Sequence, residues 1–357
     1  MRIISVATRF KDIELSRPYT IAFRTVDRVR VGIVELRTER GEIGLGAASP
    51  EPQVTGETEE SCQEALGEEQ LGWLVGRDVR HLPALCRELG RQMVSTPAAR
   101  AAVDMALHDL LARELEVPLV EMLGRAHEAL PTSITIGIMS TKEAQAEAEE
   151  YLGRGFRVLK VKLGHSLEED VERLARLRET VGPAVPLRVD PNQGYSAQDL
   201  KRFARDTEGL DIEFVEQPLP AGEEQAMREL PPELRSRLAA DESLLSEEDA
   251  LRLLSPPAAC GIFNIKLMKC GGLFPAQRIA TLAEVSGIEL MWGCMDESLI
   301  SISAALHLAL ASPATRYLDL DGSLDLARDP AEGGFVLEDG LMRTTDEPGI
   351  GARLVAP

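Results

Sequence analysis

Apolar residues fall along the chain in two rhythms. Up to about residue 115 they form two extended runs, Ile3–Phe10 and Val29–Arg37, and then recur with helical spacing from about Glu57 and again across Pro97–Leu115. This first part reads as α+β. From residue 132 onward short β-rich runs alternate with helical stretches: Thr132–Ile138, Arg157–Lys162, Pro186–Asp190, Asp211–Val215, Leu238–Asp241, Gly261–Lys266, Ile288–Trp292 and Arg316–Leu320. Successive runs start 23 to 29 residues apart, room for one strand, one helix of about three turns and two loops.

An open doubly wound sheet could share that spacing, but eight units favour closure into an α/β barrel. The pattern changes between Val117-Pro118 and Leu130-Pro131, which marks a boundary between the two parts. In a closed barrel the functional side chains project from the carboxyl ends of the strands. Strand three ends at Asp190, strand four runs into Glu216 and strand five ends at Asp241, so three successive apolar strands each deliver an acid to one rim.

A carboxylate at the end of a buried strand must be paired, hydrogen-bonded or metal-bound, because a desolvated charge is costly. Oxygen ligands without Cys or His suit a hard ion, and Mg²⁺ is the expected cofactor. Each acid could instead cap the helix that follows it. Lys160-Val161-Lys162 closes strand two and Asn264-Ile265-Lys266 closes strand six. Alternation sends Lys160 and Lys162 to the same face. Four strand positions in a ring of eight separate Lys162 from Lys266, so the two stand across the mouth with the acids between them. A base on each face and a cation at the carboxylate are what proton transfer through an enediolate requires. The base must titrate near neutrality, and Mg²⁺ together with the like charge of Lys160 beside Lys162 is expected to lower its pKa.

Composition narrows the partners. Thirty-nine basic and 59 acidic residues give a formal net charge of −20, which disfavours nucleic acid and anionic membrane surfaces. No run of about 18 apolar residues occurs, and five scattered cysteines show no paired spacing, so a reduced, cytoplasmic chain is expected. Self-association to a homo-oligomer stays open. Gly44-Leu45-Gly46-Ala47-Ala48-Ser49 nearly spells a dinucleotide fingerprint, but Pro50 follows and the segment reads as a turn. His307 lies in an apolar helical run and reads as packing, as does Cys294; Thr55 and Thr58 read as helix caps, and Lys269 as a supporting group beyond the strand end.

Lys160-Val161-Lys162, Asp190-Pro191-Asn192-Gln193, Glu216-Gln217-Pro218, Asp241-Glu242-Ser243 and Asn264-Ile265-Lys266 with Lys269 and Gly271-Gly272 together resemble the enolase superfamily, muconate-lactonizing subgroup. The resemblance implies a modified TIM barrel, (β/α)₇β, over 126–324, with an α+β capping domain formed by 1–125 and the tail 325–357. It also implies Mg²⁺ on Asp190, Glu216 and Asp241, with Lys162 and Lys266 as catalytic bases. Asn192 and Glu242 would support the acids. Asp319-Leu320-Asp321 resembles the pair that binds the α-ammonium of the substrate in dipeptide epimerases, and two acids at i and i+2 can share one ammonium. A turn at Asp321-Gly322 is the competing explanation.

Further substrate contacts implied are Lys160, Thr135, Arg24, Glu51 and Asp296. Arg24 suits an acidic side chain, whereas Glu51 and Asp296 suit a basic one, and the anionic surroundings favour a cationic dipeptide. The expected activity is epimerisation at Cα of the carboxyl-terminal residue of a dipeptide. A cycloisomerase or an o-succinylbenzoate-synthase-like lyase would use the same lysines and metal without needing the Asp319–Asp321 pair, and a metal-binding scaffold would need neither opposed lysine.

Overall fold

Eight parallel strands pair in sequential order: Ser133–Ile136, Val158–Lys162, Leu187–Asp190, Ile212–Glu216, Leu238–Ala240, Ile262–Ile265, Glu289–Gly293 and Thr315–Asp319. The computed structural model describes the backbone of residues 1–21 and 24–355, with all of their side chains except those of 18–21 and 24–25. A parallel bridge between Thr132 and Leu318 joins the last strand to the first and closes the ring. Leu320 N donates to Thr132 Oγ1 at 3.0 Å across the same seam. Each strand agrees with its sequence-predicted position to within two residues at either end. Nearly continuous apolar runs are buried on both faces, as a sheet wrapped in helices requires.

Helices Thr141–Gly153, Leu167–Val181, Ala197–Asp206, Glu224–Arg228, Glu247–Leu254, Leu273–Ser286 and Leu299–Ala311 connect consecutive strands. The eighth strand leads into the tail, so the architecture is (β/α)₇β. Ser140, Ser166, Ser196, Ser246 and Ser298 cap five of these helices by accepting from a backbone N–H of the first turn. Each cap satisfies a donor that the helix leaves open and fixes the point at which a rim loop ends. Among the described residues no helix is long and apolar enough to cross a membrane.

Strands Ile3–Ile21, Arg24–Thr38 and Ile43–Ala48 form an antiparallel sheet, and the helix Pro97–Glu114 packs on it. The segment expected as a turn at Gly44–Ser49 is mostly this third strand. Its glycines serve a close approach and not a bend: a Cβ would stand 2.2 Å from Ala106 O at Gly44 and 1.8 Å from Ala102 O at Gly46. Asp109 on that helix accepts from Leu45 N at 2.8 Å and from Ile350 N at 2.7 Å, tying sheet and tail together. Ser16 N and Ala327 N exchange hydrogen bonds with Asp325 O and Glu14 O, so the tail also pairs with the first strand.

Gly46→Ala drives a methyl group into a helix backbone that cannot yield. We expect a loss of about 3 kcal/mol or more in urea unfolding, while alanine at the open position Gly90 costs nothing comparable.

Candidate active site

The strands place the site by a step of two residues. Phe214, Ala239, Ile262, Met291 and Tyr317 form an apolar floor inside the barrel, and the Arg188 guanidinium lies over the rings of Phe214 and Tyr317 at 5.4 and 5.0 Å. Because side chains alternate faces, the residue two further along each strand also points inward. Those residues are Asp190, Glu216, Asp241, Asn264, Gly293 and Asp319. Lys160 and Lys162 enter from strand two by the same rule.

Ammonium groups and carboxylates interlock there. Lys160 Nζ lies 2.7 Å from Glu216 Oε2, 2.8 Å from Asp319 Oδ2 and 3.4 Å from Asp190 Oδ2. Lys162 Nζ donates to Asp190 Oδ2 at 2.7 Å, and Lys266 Nζ to Asp241 Oδ2 at 2.7 Å. Both lysines expected as bases therefore point into the mouth. Lys269, fully buried, donates to Asp241 Oδ1, to Asp241 O at 2.6 Å and to Asn264 O at 3.1 Å. It anchors Asp241 from below.

The electrostatics show an uncompensated excess of negative charge. Burial raises Asp190, Asp241 and Asp319, but Lys162 and Lys160, Lys266 and Lys269, and Lys160 respectively outweigh it and hold all three below the usual carboxylate range. Glu216 behaves differently: burial and then Asp190 push it up to about 8 despite Lys160. Burial and then Asp241 push Glu242 up to about 7. Asp190, Glu216, Asp241, Glu242, Asp319 and Asp321 crowd against Lys160, Lys162, Lys266 and Lys269, with Glu297 buried within reach of the Lys266 charge, so acids outnumber lysines there. Glu216 Oε2 and Glu242 Oε2 receive no well-directed hydrogen bond, although the former has its ion pair with Lys160.

A bound cation relieves that excess, and the all-oxygen donor set suits Mg²⁺. From the sequence, the lowering of the base is expected from Mg²⁺ and from Lys160 beside Lys162; the carboxylates around Lys266 act the other way. Burial lowers Lys266, but Asp241 and Glu216 outweigh it and its pKa is raised; only further positive charge at those acids reverses the direction.

Asp319, the last residue of the eighth strand, accepts at Oδ1 from Ser133 Oγ at 2.6 Å, and Asp321, two residues beyond it, accepts at Oδ2 from Thr135 N at 2.9 Å. Burial and then Asp319 push Asp321 up to about 7. Leu324 N also donates to Asp321 O at 2.8 Å, so this residue both starts a turn and presents its carboxylate. Asn192 is exposed and supports Asp190 through its backbone, Asn192 N to Asp190 Oδ1 at 2.9 Å. Glu51 caps the short helix Pro52–Thr55. Its neighbour Ser49 donates from Oγ to Asp296 O at 2.6 Å, which docks the amino-terminal loop on the loop after strand seven. The Arg24 side chain lies outside the described residues. Thr58 caps a helix as expected, and buried His307 accepts from Val120 N at 2.9 Å as a packing residue.

Several supporting residues escaped the sequence reading although they lie inside its motifs. Asn264 Nδ2 donates to Glu216 Oε1 at 2.8 Å, in space left by Gly293, where a Cβ would stand 2.5 Å from Asn264 Oδ1. Gln217, at positive φ, accepts from Asp241 N at 2.9 Å and Ser243 N at 3.1 Å. Ser133 behind Asp319 carried no motif at all. Among the described residues, a trio with metal-ligand spacing, Cys86, Asp104 and His108, lies apart from the mouth. Asp104 there caps the helix Leu273–Ser286 by accepting from Leu273 N at 2.6 Å and pairs with His108.

Comparison with known proteins gives a consistent result. The family model for the mandelate racemase / muconate lactonizing enzyme N-terminal domain matches residues 3–124, and that for the enolase C-terminal domain-like family matches 143–356. The chain is 62% identical to the L-Lys-D/L-Arg epimerase of Methylococcus capsulatus, over 98% of this chain and 99% of that protein. It is 36% identical to the L-Ala-D/L-Glu epimerase of Clostridium acetobutylicum, over 95% of each. The crystal structure of the dipeptide epimerase from Methylococcus capsulatus complexed with Mg and the dipeptide L-Arg-D-Lys superposes with a TM-score of 0.97 at 62% identity, covering 99% of both chains.

A divalent ion that answers the excess of negative charge stabilises the fold. Mg²⁺ at one hundred times its Kd is expected to add about 2.7 kcal/mol, read as a raised thermal midpoint that a chelator reverses. Asp241→Asn should lose that response while remaining folded.

Proposed function

Since the chain belongs to the mandelate racemase / muconate lactonizing enzyme family of the enolase superfamily, we propose that it is a Mg²⁺-dependent dipeptide epimerase. It inverts Cα of the carboxyl-terminal residue of a dipeptide and favours dipeptides that contain Lys or Arg. The observation that carries the reading is the pair of inward-pointing lysines, Lys162 and Lys266, on opposite sides of a ring of acids, together with Asp319 and Asp321 at its rim. Cycloisomerase and lyase substrates without an ammonium leave that acidic pair unused.

Asp190, Glu216 and Asp241 would hold the ion. When bound, Mg²⁺ supplies positive charge that offsets the charge building up on the substrate carboxylate and favours the neutral amine of a nearby lysine. Lys160, buried among the same acids, provides a fixed ammonium toward that carboxylate. One of Lys162 and Lys266, as the amine, removes the Cα proton; the other, as the ammonium, delivers a proton to the opposite face. Reversing the direction exchanges their roles. Lys266 is buried whereas Lys162 is partly exposed, so water is restricted on the Lys266 side of the reacting carbon.

A cationic preference rests on charge. The mouth is anionic, Glu51 and Asp296 lie on the two loops joined by Ser49, and the relative of highest identity named above is an L-Lys-D/L-Arg epimerase. Five free cysteines, four of them buried, suit a reducing cytoplasm.

In deuterated water the enzyme should place deuterium at Cα of the carboxyl-terminal residue of Lys- and Arg-containing dipeptides. Lys266→Ala should abolish exchange from one epimer and Lys162→Ala from the other; exchange of both epimers by either variant refutes the assignment. Because Asp321 titrates at about 7 and binds an ammonium only when ionised, kcat/KM should fall about tenfold per unit below that pH. Asp321→Asn should flatten that limb.

A further inference from the structure

The two lysines read as bases project from segments that are held differently. Lys266 leads directly into the short helix Leu267–Cys270, and its carbonyl closes that turn by accepting from Lys269 N at 3.0 Å and Cys270 N at 3.2 Å. The turn ends at Gly271 and Gly272, both at positive φ, whose amides donate to Leu267 O at 2.9 and 3.0 Å. Whatever fixes this turn therefore fixes the backbone of Lys266. After Lys162 the chain is held by the barrel itself: Leu163 N donates to Asp190 O at 2.9 Å and Arg173 Nη2 to Lys162 O at 3.2 Å.

The turn after Lys266 is gripped by the helix Pro97–Glu114 of the amino-terminal part. Buried Glu57 caps that helix, accepting from Ala98 N at 2.6 Å and Ala99 N at 3.1 Å, and so fixes the turn that carries Arg100. Arg100 Nη2 donates to Cys270 O at 2.6 Å, and its guanidinium lies against Gly271, where a Cβ would stand 1.9 Å from Nε. One helical turn on, Asp104 Oδ1 accepts from Leu273 N at 2.6 Å and Phe274 N at 3.2 Å. Gly272 precedes the helix Leu273–Ser286 and has no side chain with which to cap it; Asp104 supplies the cap from another element. A Cβ on Gly272 would stand 2.5 Å from Asp104 Cβ, so the paired glycines permit the approach on both sides. Ser49 N adds a contact to Met268 Sδ at 3.4 Å.

We infer that Arg100 and Asp104 are positioning residues for Lys266 alone of the two bases. They act through the turn Leu267–Gly272, whereas Lys162 is set by the barrel, so a helix outside the barrel governs proton transfer on one face of the substrate carbon. The inference deepens the dipeptide epimerase reading and rests on it.

The test is loss of the Cα proton in deuterated water, catalysed by the Mg²⁺-loaded full-length enzyme and followed separately from each epimer of one Lys- or Arg-containing dipeptide. Net inversion must slow equally in both directions, because the equilibrium constant fixes the ratio of the two kcat/KM values. Proton loss has no such constraint, since each epimer needs its own lysine; the epimer served by Lys266 is the one whose exchange Lys266→Ala abolishes. Arg100→Met, which keeps the stem and removes the donor, should slow loss from that epimer about tenfold or more and leave loss from the other within about twofold. Arg100→Lys, which returns a donor toward Cys270 O, should recover part of the rate. Asp104→Ala should repeat the Arg100→Met pattern, and Asp104→Asn, which keeps an acceptor for Leu273 N, should recover part of it. If Asp104→Ala does not fold, the Arg100 variants decide. A merely structural role lowers the thermal midpoint and slows both epimers alike, or neither, per folded enzyme; either result overturns the inference. If the wild type exchanges neither epimer, or Lys266→Ala exchanges both, the functional reading fails and the inference with it; if those two behave as expected and Arg100→Met treats the epimers alike, only the inference fails.

Discussion

Buried negative charge in excess of buried positive charge is the constraint on which this molecule depends. An isolated carboxylate inside a protein costs more than most single contacts return, and here acids outnumber lysines in the barrel mouth. Every lysine in the mouth is drawn to a specific acid for that reason. The supporting groups serve the same end: Lys269 below Asp241, Asn264 beside Glu216, Ser133 behind Asp319. A bound cation relieves the residual negative charge, so binding chemistry and local stability share a cause.

The barrel makes this arrangement affordable by separating a dry floor from a charged rim with a single step of two residues. Phe214 and Glu216, or Tyr317 and Asp319, differ only by one pleat repeat, yet one packs on Arg188 and the other joins the ionic ring. Closure through Thr132 and Leu318 brings Ser133 to Asp319 across more than 180 residues of chain. Opposed lysines follow from the same closure, since strands two and six are diametric in a ring of eight.

Much of this was legible in the sequence because strand ends announce themselves. A run of apolar residues that stops at Asp190, Glu216 or Asp241 gives the strand, its end and the acid together, and Lys160-Val161-Lys162 gives the facing. What was hidden depended on partners remote in the chain. Gly44 and Gly46 look like turn residues until the helix carrying Ala102 and Ala106 lies on them. Ser133 is an ordinary small residue until strand eight closes on strand one. For the base, the sequence ties the lowering to Mg²⁺, and the direction at Lys266 does depend on whether the charges of Asp241 and Glu216 are met by an ion.

The proposed epimerisation needs two separate lysines acting on opposite faces of one carbon. Following each epimer of a Lys-Arg dipeptide by circular dichroism and proton NMR in deuterated water tests it most directly. The account predicts that the product epimer appears fully deuterated at Cα while the unconverted substrate keeps most of its proton, with a transient overshoot of the optical signal before equilibrium. Product that retains the substrate's proton, from either direction, would mean a single base serving both faces and would contradict the account.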